Sequence, residues 1–136
     1  MSNCVFCAIV AGKLPAFVIE ENERVIVFLS LENHPLIVTK RHVADIYALD
    51  EALGAAVMRE TIRVARAVKA GLECEGVFLA QANEPAAGQD VFHFHLHVYP
   101  RWRDKGLNGC FAVEQHDHAA KEAIARRIRQ QLAALP

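Results

Sequence analysis

Three histidines alternate with apolar residues in one short stretch of the 136-residue chain. Residues 92–99 read Phe-His-Phe-His-Leu-His-Val-Tyr, and strict alternation of this kind is typical of a β-strand with one face in the core. We therefore expect Phe92 and the other apolar members to pack inward. His93, His95 and His97 should share the opposite face, with roughly 6.5 to 7 Å between successive histidines. Neutral imidazole offers a lone pair near pH 7, so this face can supply a nucleophile or metal ligands.

The residues alone leave three uses for these histidines open. A strand needs polar residues on its outer face, and the histidines could serve only that purpose. Alternate histidines on one strand can also share a zinc ion of the hydrolytic three-histidine type. The loop that enters the strand favours a third use, because Asn83 and Gln89 supply neutral amides that can donate hydrogen bonds to phosphate oxygens. Imidazoles together with such amides indicate phosphoryl transfer.

A second group with metal-binding character lies near the start of the sequence, where two residues separate Cys4 and Cys7. In a reducing compartment a pair with this spacing is more often a metal or redox site than a structural disulfide. A redox pair of this type usually begins a helix that follows a strand, and no strand is predicted before residue 4. The residues alone leave a metal site and a redox pair open, and the lack of a predicted strand argues against the redox pair. Cys74 and Cys110 lack such neighbours and are predicted to be packing or surface thiols.

Length and composition indicate one soluble globular domain over residues 1–136. Hydrophobic residues make up 53% of the chain and charged residues 23%, which is too apolar for a disordered chain. The net charge of -1 argues against nucleic acid or an anionic membrane as the main partner. The apolar stretches are far shorter than the roughly 18 residues of a membrane span. The amino terminus has no signal-peptide pattern, so we expect a cytoplasmic location.

Hydrophobic periodicity predicts the elements that must position these groups. The predicted strands cover residues 16–20, 24–29, 36–39, 76–80 and 92–99. The predicted helices cover residues 5–11, 50–71 and 117–135. Asp50 is the expected amino-terminal cap of the long helix. We expect an α+β fold, with an antiparallel sheet of about five strands, one long central helix and a C-terminal helix.

Residues 89–101, with the alternation His-x-His-x-His at their centre, resemble the signature of the histidine triad (HIT) family. The resemblance extends over nearly the whole chain. Residues 4–7 and 12–15 are similar to the opening of the family, and residues 36–42 are similar to its middle strand and the histidine after it. The zinc-containing bacterial branch, which is Hint-like, is the most similar. The resemblance implies a single HIT domain with a HIT-like fold that pairs into a homodimer.

The same resemblance implies catalytic roles. His95 matches the nucleophile, which would attack the α-phosphorus of a nucleoside 5'-phosphate derivative and form a nucleotidyl-histidine that water then hydrolyses. His97 would contact the phosphate or the leaving group, and His34 matches the upstream active-site histidine. Asn83 and Gln89 would hold phosphate oxygens.

The resemblance also implies a metal site and a substrate slot. Cys4, Cys7, His42 and His93 match the ligands of a structural zinc ion, a closed tetrahedral set. The residues that match the apolar slot for the base are Val5, Phe6, Ile9, Phe28 and Leu31. Ser30 stands where the family commonly has an aspartate that grips the ribose hydroxyls, and the connection from Ser30 to His34 is about four residues shorter than usual. Glu32 is a second candidate for that carboxylate.

Two classes of function are consistent with the sequence. The first is an enzyme, a purine nucleoside phosphoramidase-like protein or a dinucleoside polyphosphate hydrolase that acts on AMP or GMP derivatives. The second is a nucleotide-binding or partner-binding module with weak or no catalysis, which the serine at position 30 would favour.

Overall fold

A five-stranded antiparallel sheet organises the chain in the computed structural model, which describes residues 3–105 and 117–136. In these residues the strands are β1 (Val18–Glu21), β2 (Val25–Leu29), β3 (Pro35–Thr39), β4 (Gly76–Ala80) and β5 (His95–Arg101). Their order across the sheet is β1-β2-β3-β5-β4, with every neighbouring pair antiparallel. The predicted α+β architecture is confirmed.

Three α-helices accompany the sheet in the described residues: α1 (Val5–Val10), α2 (Glu51–Gly71) and α3 (His118–Ala134). Each begins after a residue whose side chain accepts a hydrogen bond from the first turn, which satisfies an otherwise unpaired N–H group. Asp50 caps α2 through Leu53 N at 2.8 Å, as predicted, and Asp117 caps α3 in the same way. The Sγ of Cys4 caps α1.

The two faces of the sheet carry different partners, because side chains alternate along each strand. On one face, β-strand residues such as Val27, Ile37 and Val98 pack against α2 and α3. On the other face, residues such as Phe28 and Val38 form a smaller apolar cluster with Phe6 of α1. The histidines of β5 alternate with Leu96 and Val98, and they therefore lie on the α1 face.

The two long helices approach each other closely near the carboxyl end of α2. A Cβ atom built at Gly71 would lie 2.9 Å from the carbonyl oxygen of Arg127 on α3. Glycine at this position thus permits the backbones to approach, whereas Gly54 on the same helix has nothing within 4 Å of its Cβ position.

The histidine strand begins later than the alternation predicted. β5 starts at His95, and Phe92 is 52% exposed, so its predicted inward packing is wrong. Phe94, Leu96 and Val98 are buried as expected. The reason is local: the N–H of Phe94 donates to Val43 O at 2.7 Å, so the chain bends away from the ladder before the strand begins.

Two further predictions concern cysteines and membrane spans. Cys74 is buried in the larger apolar cluster, which confirms a packing role. Cys110 lies outside the described residues. Among the described residues, none of the helices has the length and apolar character needed to cross a bilayer.

Candidate active site and metal centre

His95 is held in one tautomer by the backbone. Its Nδ1 lies 2.7 Å from the carbonyl oxygen of His93, and the side chain is only 6% exposed. A carbonyl oxygen only accepts hydrogen bonds, so Nδ1 carries the proton and donates it. The Nε2 atom of a neutral ring then has a free lone pair, which is the form an attacking imidazole requires. The edge-to-face contact with Phe6, at 5.0 Å between ring centres, holds the ring orientation.

The structure brings His97, from the same strand, and His34, which the family resemblance implied, beside His95. The rings of His95 and His97 have centres 5.0 Å apart, and His34 Nε2 lies 2.8 Å from His97 Nδ1. Tyr99 packs on both rings and directs its hydroxyl at His97 Nδ1, 3.4 Å away. His95, His97, His34 and Tyr99 therefore form one contiguous row of polar rings on the α1 face of β3 and β5.

Burial keeps the His34 and His97 rings of this row uncharged. Desolvation, followed by the nearby histidines and Lys121, lowers the pKa of His34 to about 3. Desolvation and His95 lower the pKa of His97 to about 4. Both rings are therefore neutral at pH 7, and each offers one N–H and one lone pair.

His34 is presented by a tight turn between β2 and β3. Ser30 N donates to His34 O at 2.8 Å and Asn33 N donates to Ser30 O at 3.1 Å. Asn33 adopts a left-handed backbone conformation with φ of 71°, which asparagine tolerates better than most residues. The shortened connection noted in the sequence is this closed turn.

Four side chains converge to form a metal-binding cluster. The ligand atoms of Cys4, Cys7, His42 and His93 all lie within 4.8 Å of one another. His93 Nε2 lies 2.6 Å from the carbonyl oxygen of Thr39, so Nε2 carries the proton. The unprotonated Nδ1 then has a lone pair with which to bind a metal ion. That Nδ1 is 3.2 Å from His42 Nδ1 and 3.3 Å from Cys4 Sγ.

This donor set fits zinc. Tetrahedral Zn²⁺ with bonds of about 2.0 to 2.3 Å places its ligand atoms roughly 3.3 to 3.8 Å apart, close to the observed separations. Two sulfurs and two imidazole nitrogens fill all four positions, as in structural rather than catalytic sites. The arrangement supports a structural zinc site that ties α1 to the end of β3 and the start of β5.

Part of the residue set predicted to hold the base lies in one buried apolar cluster. Phe6 and Phe28 are buried with their ring centres 5.5 Å apart, and Ile9 packs against the same cluster. Val5 is exposed, and Leu31 is 84% exposed on the turn and lies outside the cluster. The alternation of β2 and β3 adds residues that the sequence analysis did not assign to the slot, namely Ile26, Leu36 and Val38.

The two loop amides are engaged within the protein. The buried Gln89 accepts from Glu84 N at 2.7 Å and donates to the carbonyl oxygens of Ala44 and Val91. Asn83 Oδ1 accepts from Ile46 N at 2.8 Å, and its Nδ2 donates to Gln81 Oε1. In the observed arrangement both side chains brace the loop that leads into β5.

Lys121 is a residue at this site that sequence reasoning missed. It belongs to the first turn of α3, and its ammonium group donates to Leu31 O at 3.2 Å, to Ser30 O, and to Asn33 Oδ1. The cation thereby closes over the turn that carries His34. The hydrophobic periodicity of α3 does not predict this contact, because the turn lies about ninety residues earlier in the chain.

Comparisons with known proteins agree with this geometry. A family model described as the HIT domain matches residues 11–104. Protein hit of Bacillus subtilis is 30% identical over 137 residues, covering 93% of this chain and 94% of that protein. A crystal structure of a zinc-bound histidine triad family protein from Mycobacterium smegmatis is 34% identical, with a TM-score of 0.85, and covers 98% of this chain and 95% of that one. A HIT family hydrolase from Clostridium thermocellum is 32% identical, with a TM-score of 0.65, and covers 76% of this chain and 94% of that one.

These likenesses confirm the HIT-like fold that the resemblance implied. They extend beyond the histidine strand, since the matched residues run from the end of α1 to the residues after β5. The sequence pattern, the sheet order and the shared fold lead to the same assignment. The chain belongs to the histidine triad family.

Proposed function

We propose that this protein is a nucleotide hydrolase or transferase that cleaves nucleoside 5'-phosphoramidates or related nucleotidyl phosphates. Membership in the histidine triad family supports the broad class, and the relative from Clostridium thermocellum is itself described as a hydrolase. The observation that carries the proposal is the hydrogen bond from His95 Nδ1 to His93 O. In the neutral ring this bond leaves the Nε2 lone pair free to attack, beside the neutral imidazoles of His34 and His97.

The proposed reaction has two displacements at phosphorus. In the first, the Nε2 lone pair of His95 forms a bond to the α-phosphorus while the bond from phosphorus to the leaving nitrogen or oxygen breaks. The positive charge that develops on the ring is stabilised by the bond from Nδ1–H to the carbonyl oxygen. In the second, water attacks phosphorus and displaces the imidazole of His95, and the proton that the water loses goes to the group that protonated the leaving nitrogen in the first step. Two steps with positioned groups lower each barrier relative to one direct hydrolysis.

The apolar cluster beside His95 supports a purine substrate. Phe6, which contacts the His95 ring, and Phe28 are aromatic and Ile9 is partly buried beside them, and aromatic side chains favour stacked or edge-to-face contacts with flat rings. AMP and GMP derivatives are therefore the proposed substrates. Asn83 and Gln89 remain candidates for phosphate contacts, with their amides reorienting from the loop hydrogen bonds on binding.

Zinc has a structural role in this proposal. An ion held by Cys4, Cys7, His42 and His93 would supply cross-linking rather than chemistry, because four protein ligands leave no open position. His93 is two residues from His95, and its carbonyl oxygen orients the nucleophile. Fixing the His93 side chain therefore also fixes the group that sets the tautomer of His95.

We also propose a homodimer, with β4 at the interface. β4 is an edge strand of the five-stranded sheet in the described residues, and Phe78 and Leu79 on it are 40% and 42% exposed. An exposed apolar edge is a site for association between chains. Light scattering that gives the mass of one chain at micromolar concentration would contradict the dimer without touching the proposed chemistry.

Turnover of adenosine 5'-phosphoramidates tests the function. The wild-type protein should release AMP, and His95→Ala should lose activity by at least about 10³-fold while still binding AMP in calorimetry. His118→Ala is the matched control, because His118 lies exposed at the start of α3 and its ring contacts Phe17. Tight AMP binding by a wild-type protein that turns over neither phosphoramidates nor dinucleoside polyphosphates would instead establish the binding module.

A further inference from the structure

Ser30 has a hydroxyl group whose hydrogen-bonding capacity is fully used. Its Oγ accepts from the N–H groups of Glu32 at 3.1 Å and His34 at 3.3 Å. Its remaining partner is His34 Nδ1, at 3.1 Å. A hydroxyl accepts twice and donates once. Since both acceptances go to backbone donors, the single hydroxyl proton is left for His34 Nδ1.

This donation fixes the direction of the next hydrogen bond. A neutral His34 that accepts at Nδ1 must carry its proton on Nε2. That proton is donated to His97 Nδ1, 2.8 Å away, and the Tyr99 hydroxyl points at the same nitrogen. With Nδ1 accepting, a neutral His97 carries its proton on Nε2. The chain of bonds therefore runs in one direction, from Ser30 through His34 to His97.

We propose that Ser30 is a positioning residue whose hydroxyl sets, through His34, the His97 tautomer that presents Nε2–H to the leaving group. The inference rests on the proposed function for its chemical meaning, because a departing amine needs a proton. His95 and His97 are thereby held in opposite states by different partners. His95 has its proton on Nδ1 and attacks through Nε2. His97 has its proton on Nε2, passes it to the departing amine, and recovers a proton from the water that attacks phosphorus in the second step.

Lys121 supports the same arrangement from outside the strand pair. Its ammonium group contacts the backbone oxygens of Ser30 and Leu31 and the side chain of Asn33. These contacts hold the turn closed, so that the two backbone N–H groups remain on the Ser30 hydroxyl. An open turn would free an acceptor lone pair on Oγ and make the direction of its proton ambiguous.

The direct test is the tautomer of each ring in the zinc-loaded wild-type protein, read from histidine ¹⁵N chemical shifts at neutral pH. We expect the proton on Nε2 in both His34 and His97, and on Nδ1 in His95. A proton on Nδ1 of His34 or of His97 would overturn the proposal, and this measurement requires neither a variant nor a substrate.

Two variants separate tautomer control from a merely structural role. Ser30→Ala removes the donor, so His34 and His97 should each become a mixture of tautomers. Ser30→Thr retains the hydroxyl and should restore the wild-type spectrum. A folded Ser30→Ala protein with wild-type tautomers would also overturn the proposal.

Kinetics with two leaving groups give the second readout. An alkylamine leaving group needs protonation, whereas p-nitrophenolate does not. For Ser30→Ala we expect a loss of about 10- to 100-fold on an adenosine phosphoramidate of an alkylamine and a loss within about threefold on p-nitrophenyl adenosine 5'-phosphate. Equal losses on both substrates would contradict the proposal. If the wild-type protein hydrolyses neither substrate, the proposed function fails, while the spectra still decide the tautomers.

Discussion

Glu60 is a buried acid on α2, and replacing it with glutamine should stabilise the protein at neutral pH. The residue is 4% exposed, its Oε1 has no hydrogen-bond partner, and its nearest acidic neighbour is Glu20, which pairs with Arg63 at 3.0 Å. Desolvation and the Glu20 carboxylate raise the pKa of Glu60 to about 8, so the folded protein keeps this carboxyl protonated.

The raised pKa determines how stability depends on pH. An unfolded chain ionises Glu60 near its ordinary value of 4.5, so the folded state binds the extra proton between that pH and about 8. The contribution of the neutral carboxyl is fully present below 4.5 and is lost as the pH rises to 8, by about 1.4 kcal/mol per unit. At pH 7 the loss is about 3 kcal/mol. The glutamine side chain of Glu60→Gln is neutral at every pH and can still donate to Glu20, so this variant does not lose stability as the pH rises.

Urea unfolding of the zinc-saturated protein at about pH 5 and about pH 7.5 measures this difference. Glu60→Gln should match the wild type within about 1 kcal/mol at the lower pH and exceed it by about 3 to 4 kcal/mol at the higher pH. Glu51→Gln, an exposed change at the start of the same helix, should differ from the wild type by less than about 0.5 kcal/mol at both. A constant difference for Glu60→Gln across this range would refute the reasoning. Activity should not change, because α2 covers the face of the sheet opposite the histidines.

Three further outcomes are expected. Removing zinc with a chelator, or substituting Cys7→Ser, should lower the melting temperature by more than about 5 °C, because α1 loses its tie to the sheet. The control variant Cys74→Ser should still bind one zinc ion per chain in a colorimetric metal assay. Gly71→Ala should destabilise the protein by about 1 to 3 kcal/mol in urea, since its Cβ would press on the backbone of α3, while Gly54→Ala should stabilise it by about 0.5 to 1 kcal/mol; equal effects would contradict the close helix approach. The Ser30 hydroxyl makes its hydrogen bonds within its own turn. The values of kcat/KM for ribose and 2'-deoxyribose substrates should therefore agree within about tenfold. A larger preference for ribose would show that another group binds the ribose hydroxyls.

Most of the site could be predicted from local sequence patterns. The alternation of His95, Leu96, His97 and Val98 reports directly which side chains share a face of a strand, because the period of a strand is two. Asp50 was recognised as a helix cap by the same local reasoning. The spacing of Cys4 and Cys7 indicated a metal or redox site, the family resemblance implied His42 and His93 as the other zinc ligands, and the structure places all four together.

The remaining features depend on contacts between distant parts of the chain. The bend that exposes Phe92 arises from a hydrogen bond of its neighbour to Val43, which local alternation does not encode. Leu31 is apolar but is carried on a short turn, so its position follows from loop geometry rather than from its residue type. From the sequence, Lys121 is an ordinary helix residue, and only the packing of α3 against the turn before His34 shows its contacts. Glu60 lies on the buried stripe of α2, where only the tertiary structure shows that a carboxyl group is enclosed.

Mass spectrometry of the protein quenched during turnover tests the central claim most directly. With an adenosine phosphoramidate as substrate, the account predicts an added adenylyl group that maps to His95 and that disappears in His95→Ala. Two results would contradict the account. One is an adduct on any other residue during wild-type turnover, and the other is undiminished turnover by His95→Ala.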